Sequence, residues 1–380
     1  MKTAITEMFG IEFPIVAFTH CRDVVAAVSK AGGLGVLGGV AHSARSLEID
    51  LQWIEDEIGD KPYGVDLIVP ARYEGSDDGG LDMSQVEQLI PPQHREFLDD
   101  ILARYDVPPM PDDPRENKRA DDTGKAMFSM ERAAPQLDVA LAHKTALMVN
   151  ALGPPPQHMI DRCKEQGVKV GALAGKAQHA ERHVNAGTDV VIAQGYEAGG
   201  HIGEIGTMVL IPEIVDAVGS QVPVLGAGGI GRGRQMAAAM ALGASGVWCG
   251  SVWLTTEEAE TQPVVKEKFL AASSSDTVRS RSRTGKPARQ LKSAWTEEWE
   301  SPDGPGPLGM PAQPALIDAA MARIDRAAPN HEGAQKLANY FVGQIVGNMN
   351  KSKPAATVVY EMIEEFIEAT ESLTAQLATD

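Results

Sequence analysis

The chain has 380 residues and a formal net charge of -18, long enough to bury one large α/β core or two smaller ones. Its acidity argues against nucleic acid and anionic lipid as partners, and three widely spaced cysteines (Cys21, Cys163, Cys249) offer neither a disulfide frame nor a metal-ligand spacing. The N-terminal stretch lacks an apolar export core and no apolar run reaches membrane-span length, so the expected location is cytoplasmic.

In chain order, Phe13 to Phe18 is a short apolar run, and Val24 to Ala31 then takes helical spacing until Gly32 and Gly33 end it. Leu34 to Gly38 and Tyr63 to Val69 read as the second and third strands, separated by an amphipathic helix from Ser43 to Glu57 that Ser43 caps. After a gap the unit recurs: Ala146 to Asn150, a helix from Pro156 to Glu165, Val168 to Leu173, a helix from Ala177 to Asn185, and Val190 to Ala193. Val222 to Leu225 and Gly246 to Cys249, with a helix from Arg232 to Leu242 between them, bring the strand candidates to eight. A spacing of about twenty residues between strands is what a right-handed βα repeat requires, and eight such units close into a (β/α)8 TIM barrel.

The barrel is assigned to residues 1–75 and 142–272. Residues 76–141 form an insertion after the third strand, and its centre from Asp106 to Gly124 is too rich in proline and charge to form a core. Because it leaves a barrel strand at the end where active sites lie, it reads either as a lid or as a passive excursion. Residues 273–380 read as a basic segment followed by a helical appendage, with helices over Ala315 to Arg326, Gly333 to Asn348 and Ala355 to Leu373. The Pro/Gly-rich connector from Ser301 to Pro314 is the clearest domain boundary.

The stretch with the strongest chemical content is Val190 to Gly206. An apolar strand stops at Gln194 and Gly195, and two glycines, Gly199 and Gly200, precede His201. Glycines let a flat ligand approach the backbone, and imidazole titrates near neutral pH, so His201 is the candidate catalytic residue. Gly226 to Gly231 matches G-x-G-x-x-G between a strand and a helix, but no acidic residue follows from Arg232 to Thr256 to hold a dinucleotide ribose. The barrel offers another use, since loops after its last two strands present N–H groups to a phosphate; Gly228, Gly229, Gly250 and Ser251 are the donors named.

With these residues in place the chain resembles the nitronate monooxygenase (2-nitropropane dioxygenase) family. The resemblance rests on Phe13-Pro14-Ile15, the run Ala31 to Gly38, Pro62 to Asp66, the run Ala193 to His201, Ala227 to Ile230, Gly250-Ser251 and a later segment from Gly285 to Arg289. It implies FMN as cofactor, with the phosphate at Gly228, Gly229, Gly250 and Ser251. Gln194, Gly199 and Gly200 would lie near the isoalloxazine, Ala17, Phe18 and Asp66 would also border the cofactor, and His201 would stand beside the substrate. Two departures stand out: Val16 to His20 replaces a Gln-x-x-Met-like stretch, and Gly64-Val65-Asp66 replaces Gly-Val-Asn. An ionised Asp66 would place negative charge near the ring, where an amide could donate.

His179 and His183 lie one helical turn apart, but no third ligand is evident, so they read as a solvated helix face and no metal is assigned. Arg279, Arg281, Arg283, Lys286, Arg289 and Lys292 form a basic run that contains no acid. Such a run reads either as a solvated loop or as an attractor for the phosphates of NAD(P)H or an acyl-CoA. The expected function is FMN-dependent oxidation of nitronates with O2. The alternative is an NAD(P)H-dependent reductase or dehydrogenase of an enoyl-type thioester or a quinone, and a non-flavin phosphate-binding lyase or isomerase stands third. A small-molecule substrate is the expected partner, and a homodimer is left open.

Overall fold

The computed structural model describes residues 1–69, 83–110 and 130–377. Its strands in chain order are β1 (Ile15–Thr19), β2 (Leu34–Gly38), β3 (Tyr63–Leu67), β4 (Leu147–Asn150), β5 (Lys169–Ala174), β6 (Val190–Gln194), β7 (Gly200–His201), β8 (Val224–Ala227), β9 (Gly246–Cys249), β10 (Thr277–Ser280) and β11 (Ala288–Leu291). β1 to β6 with β8 and β9 close into a parallel barrel, β9 returning to pair with β1. This is the (β/α)8 TIM barrel expected from the apolar runs. β10, β11 and β7 form a separate antiparallel sheet in that order.

Strand alternation sorts the side chains into two layers. Val16, Leu34, Val36, Val149, Ile192 and Trp248 meet inside the barrel, whereas Ile15, Ala17, Val191 and Val247 face outward into a core shared with the helices. The helix Ala4–Phe9, started by a capping box between Thr3 and Thr6, sends Ile5 and Phe9 into the inner cluster and so closes the N-terminal end of the barrel. That leaves the C-terminal ends of the strands as the mouth.

A second core lies beside the barrel. Leu98, Ile101 and Leu102 from the helix Pro92–Arg104 meet Leu316, Ile317 and Ile324 from the helix Ala312–Ala327, together with Trp295, Trp299 and Phe269. The 83–110 part of the insertion therefore packs with the C-terminal segment, while the helix Met130–Ala142 packs Leu137, Ala140 and Leu141 on the barrel. Of the insertion over residues 76–141, read either as a lid or as a passive excursion, residues 76–82 and 111–129 lie outside the described residues.

The C-terminal segment differs from expectation at one place. Gly333 to Asn348 is not a single helix: Glu332–Leu337 is helical, Phe341 makes a bridge to Gln290, and Gln344–Asn348 is a 3₁₀ turn. The segment is packed closely on backbone, so that a Cβ at Gly333 would stand 1.8 Å from Tyr105 O and one at Gly343 2.6 Å from Glu197 O. The final helix, Ala355–Leu377, packs Val359 and Met362 on the barrel core, and no described helix is long and apolar enough to cross a membrane.

Candidate active site

β6 delivers Gln194 to the mouth, and the chain then turns through Gly195, where any Cβ would stand 2.1 Å from Thr207 Oγ1. Glu197 holds the turn, accepting from Thr207 N–H at 2.9 Å and from its hydroxyl at 2.6 Å. Gly199 is backed by the C-terminal segment: a Cβ there would lie 2.7 Å from Gly343 N, and Gln344 N–H donates to Glu197 O at 2.9 Å. Gly200, with φ +74, faces open space. The two glycines thus serve different ends, one admitting the chain behind the loop and the other leaving its front clear.

His201 is fixed by the hairpin of β10 and β11. It pairs with Ala288 across β7 and β11, and its Nε2 lies 2.8 Å from Thr284 Oγ1. Lys286 O is 3.2 Å from that same hydroxyl and can only accept, so the bonds are all satisfied when Nε2–H donates to Thr284 and Nδ1 keeps its lone pair. Burial, assisted by the Lys286 ammonium, pushes the His201 pKa down to about 4, so the ring is neutral at physiological pH. The hairpin is locked to the loop by Arg289, which is buried, donates to Tyr196 O at 3.1 and 3.0 Å and to Thr277 Oγ1 at 3.0 Å, and lies 4.4 Å over the Tyr196 ring.

The phosphate end expected after β8 and β9 is present as backbone. Gly228 and Gly229 have φ +111 and +65, and a Cβ on either would strike Thr207, Gly195 or Glu197. Their N–H groups and that of Gly250 have no hydrogen-bond partner among the described residues. Beside Gly228 and Gly229 opens a cavity of about 330 Å³, lined also by Thr207, Gln235, Gln344 and Asn348. Ser251 Oγ accepts from Gly343 N–H at 2.8 Å, which leaves its own proton free to donate.

On the lumen side, Phe18 stacks on Trp248 at 5.8 Å, whereas Ala17 turns its side chain outward and has only main chain to offer a ligand. Asp66 faces inward from β3, is 3% exposed, and its Oδ1 has no partner. Burial raises its pKa well above the usual carboxylate range, which favours the neutral, proton-bearing form. That corrects the expectation of an ionised carboxylate: a neutral carboxyl donates as the amide in its place would. The orphaned Oδ1, the free N–H groups and the clear face of Gly200 are what a polar heterocycle with a phosphate tail requires.

The structure therefore gathers Phe18, Asp66, Gln194, Gly200, His201, Gly228, Gly229, Gly250 and Ser251 around one mouth. Sequence reasoning missed Thr284, Gly343 and the structural role of Arg289, because each acts through a fold-level contact that has no local signature. It treated the stretch that carries His20 as a departure; the residue is exposed, follows β1, and has its Nδ1 3.0 Å from Gly38 O at the end of β2. His183 is buried, its Nε2 3.0 Å from Leu173 O, rather than part of a solvated face.

A closed barrel whose mouth joins a neutral histidine to free N–H groups just after β8 and β9 suits a flavin-dependent oxidoreductase, and it is the comparisons that put the chain in that class. The nitronate monooxygenase family model matches residues 2–89 and 100–365, and the chain belongs to that family. It is 58% identical over 369 residues to a putative monooxygenase, Rv1533, of Mycobacterium tuberculosis, covering 97% of each chain. Among solved structures it resembles a nitroalkane oxidase from Streptomyces ansochromogenes (TM-score 0.77, 26% identity, 98% of this chain and 100% of that one). FabK from Thermotoga maritima is similar too (TM-score 0.71, 28% identity, 99% of each).

Proposed function

We propose that the protein holds FMN at the barrel mouth and oxidises small nitronates, with O2 as the electron acceptor. The observation that carries this reading is what the fold does with the basic run. Arg289 is buried in the hairpin, Arg279 lies 3.4 Å from Glu204, and Arg281 donates to Gly285 O at 2.9 Å. Lys286 lies beside His201, whereas Arg283 lies 5.5 Å over each of the Tyr340 and Phe341 rings and Lys292 stands beside Asp276. A nucleotide or acyl-CoA substrate offers several phosphates, and the cations that would meet them are dispersed; a small anion needs no more than one or two.

The N–H groups of Gly228, Gly229 and Gly250 and the Ser251 hydroxyl would hold the phosphate, and Asp66 and Gln194 would meet the polar edge of the ring. FMN, when bound, supplies the electron-accepting group. The chain's own part is to orient the substrate: neutral His201 offers the Nδ1 lone pair, its ring fixed by Thr284, and the Lys286 ammonium favours an anion beside it.

The test is spectroscopic. The protein reconstituted with FMN should show a bound-flavin spectrum, and anaerobic ethyl nitronate should bleach it faster than NADH or NADPH at equal concentration. Rapid bleaching by a nicotinamide with none by the nitronate would overturn the assignment, as would failure to retain FMN at micromolar concentration.

A further inference from the structure

Phe341 stands beside His201. On β11, Gln290 pairs with Val278 of β10 along one edge and with Phe341 along the other, and His201 pairs with Ala288 on that second edge. Ala288 and Gln290 are two residues apart and side chains alternate along a strand, so His201 and Phe341 fall on one face of the sheet. Their ring centroids are 6.4 Å apart and tilted by 41°. The Phe341 backbone is pinned on both sides: Tyr340 O accepts from Leu291 N–H at 3.1 Å, and Gly343 N–H donates to Ser251 Oγ at 2.8 Å.

The side chain is not part of a core. Half-buried, it joins none of the apolar clusters formed by the described residues, although Tyr340 next to it packs on the second core. Its ring meets His201, the Tyr340 ring at 5.4 Å, and the Arg283 guanidinium, which lies 5.5 Å over it. An aromatic ring held on a fixed backbone beside a polar group is how small-molecule sites are lined, with apolar walls that set the fit and a few polar groups that orient the ligand.

We propose that Phe341 is a specificity-determining residue of this site, its ring the apolar wall that receives the alkyl chain of the substrate while the anionic head lies at His201 and Lys286. The inference rests on the nitronate reading above and names the substrates favoured within it: primary alkyl nitronates of several carbons ahead of ethyl nitronate. A second charge at the tail is not what the wall fits. Arg283 faces the Asp325 carboxylate, so its charge is answered within the protein, and Lys286 lies beside His201 and belongs with the head group.

The protein reconstituted with FMN can be assayed on the nitronates from ethyl to hexyl. In the wild type kcat/KM should rise about twofold for each added methylene and about sixteenfold over the series, through KM more than kcat; full burial of a methylene would give about fourfold, and a wall covers one side. Phe341→Ala should flatten that rise, with the greatest loss on hexyl nitronate, and Phe341→Leu, which keeps apolar bulk, should restore most of it. A flat wild-type series would overturn the proposal, as would a Phe341→Ala series just as steep; an equal loss at every length would make Phe341 a packing residue. Binding of acetate, butyrate and hexanoate, read as a shift in flavin absorbance, repeats the series without turnover, since a carboxylate is a planar anion as a nitronate is. Affinity that climbs with chain length in the wild type but not in Phe341→Ala, in a protein that does not oxidise nitronates, would leave the wall standing and refute the nitronate oxidation. Succinate bound more tightly than hexanoate would give the tail to Arg283 and end the proposal.

Discussion

Arg289 shows how a residue legible only as charge becomes structure. Its guanidinium makes three hydrogen bonds and covers the Tyr196 ring, so it ties the strand that pairs with His201 to the loop that carries His201. Removing it leaves Tyr196 O without its donors inside the protein. Arg289→Met should therefore cost roughly 2–4 kcal/mol in urea unfolding, since hydrogen bonds from a charged donor are each worth about 1.5–3 kcal/mol. Arg289→Lys should recover little, because one ammonium cannot reproduce the planar fork. A loss below about 0.5 kcal/mol, the range of an ordinary surface substitution, would show that the hairpin is held by other contacts.

At the scale of elements, the barrel strands could be read because each is an apolar run ended by glycine or a polar residue. Leu34–Gly38 and Gly246–Cys249 fall where the pattern puts them, and the others shift by a few residues at most. The hairpin was hidden for the opposite reason. Thr277–Ser280 and Ala288–Leu291 each carry one arginine within four residues and belong to a longer basic run, so the charge reads before the strand does, and two-residue β7 is too short to carry a period. Within the site, Asp66 and Gly228 were visible as residue types. The titration state of Asp66 depends on burial, which no local pattern reveals.

The last helix carries its own prediction. Glu365 accepts from Arg232 Nε at 2.8 Å and from Gly233 N–H at 3.0 Å, so a side chain from Ala355–Leu377 caps the helix Gly233–Ala241. Glu365→Gln should cost about 1–2 kcal/mol at pH 7 through the lost charge-assisted bonds and dipole interaction. The Arg232 bond, the largest favourable influence, holds the Glu365 pKa below 4.5 in the folded protein, so its contribution is complete above about pH 4.5 and is lost as pH falls through the folded value. The stability gap between wild type and variant should be flat from pH 5.5 to 8 and close below 4.5. A gap that widens in acid would contradict the assignment.

Across the whole molecule, the barrel and the second core depend on each other. Leu98, Ile101, Phe269 and Trp295 are covered by residues from Leu316 to Val346, and each large side chain left exposed forfeits about 1.5–3 kcal/mol. Several such losses exceed the total stability of a typical domain, about 5–15 kcal/mol. A chain ended at the Ser301 connector should show no cooperative thermal transition and retain no flavin. A truncated protein that melts cooperatively with bound flavin would refute this dependence.

Gly343 has a consequence in the time domain of synthesis. All eight barrel strands are complete once Cys249 has been made, yet the wall behind Gly199 and the donor to Ser251 arrive only with Gly343, near the end of the chain. A nascent chain folds from its N-terminus as it emerges, so the barrel can close about a hundred residues before its mouth is finished. During that interval the growing protein has a scaffold but no completed cofactor seat, and loading must wait until Gly343 has emerged and packed.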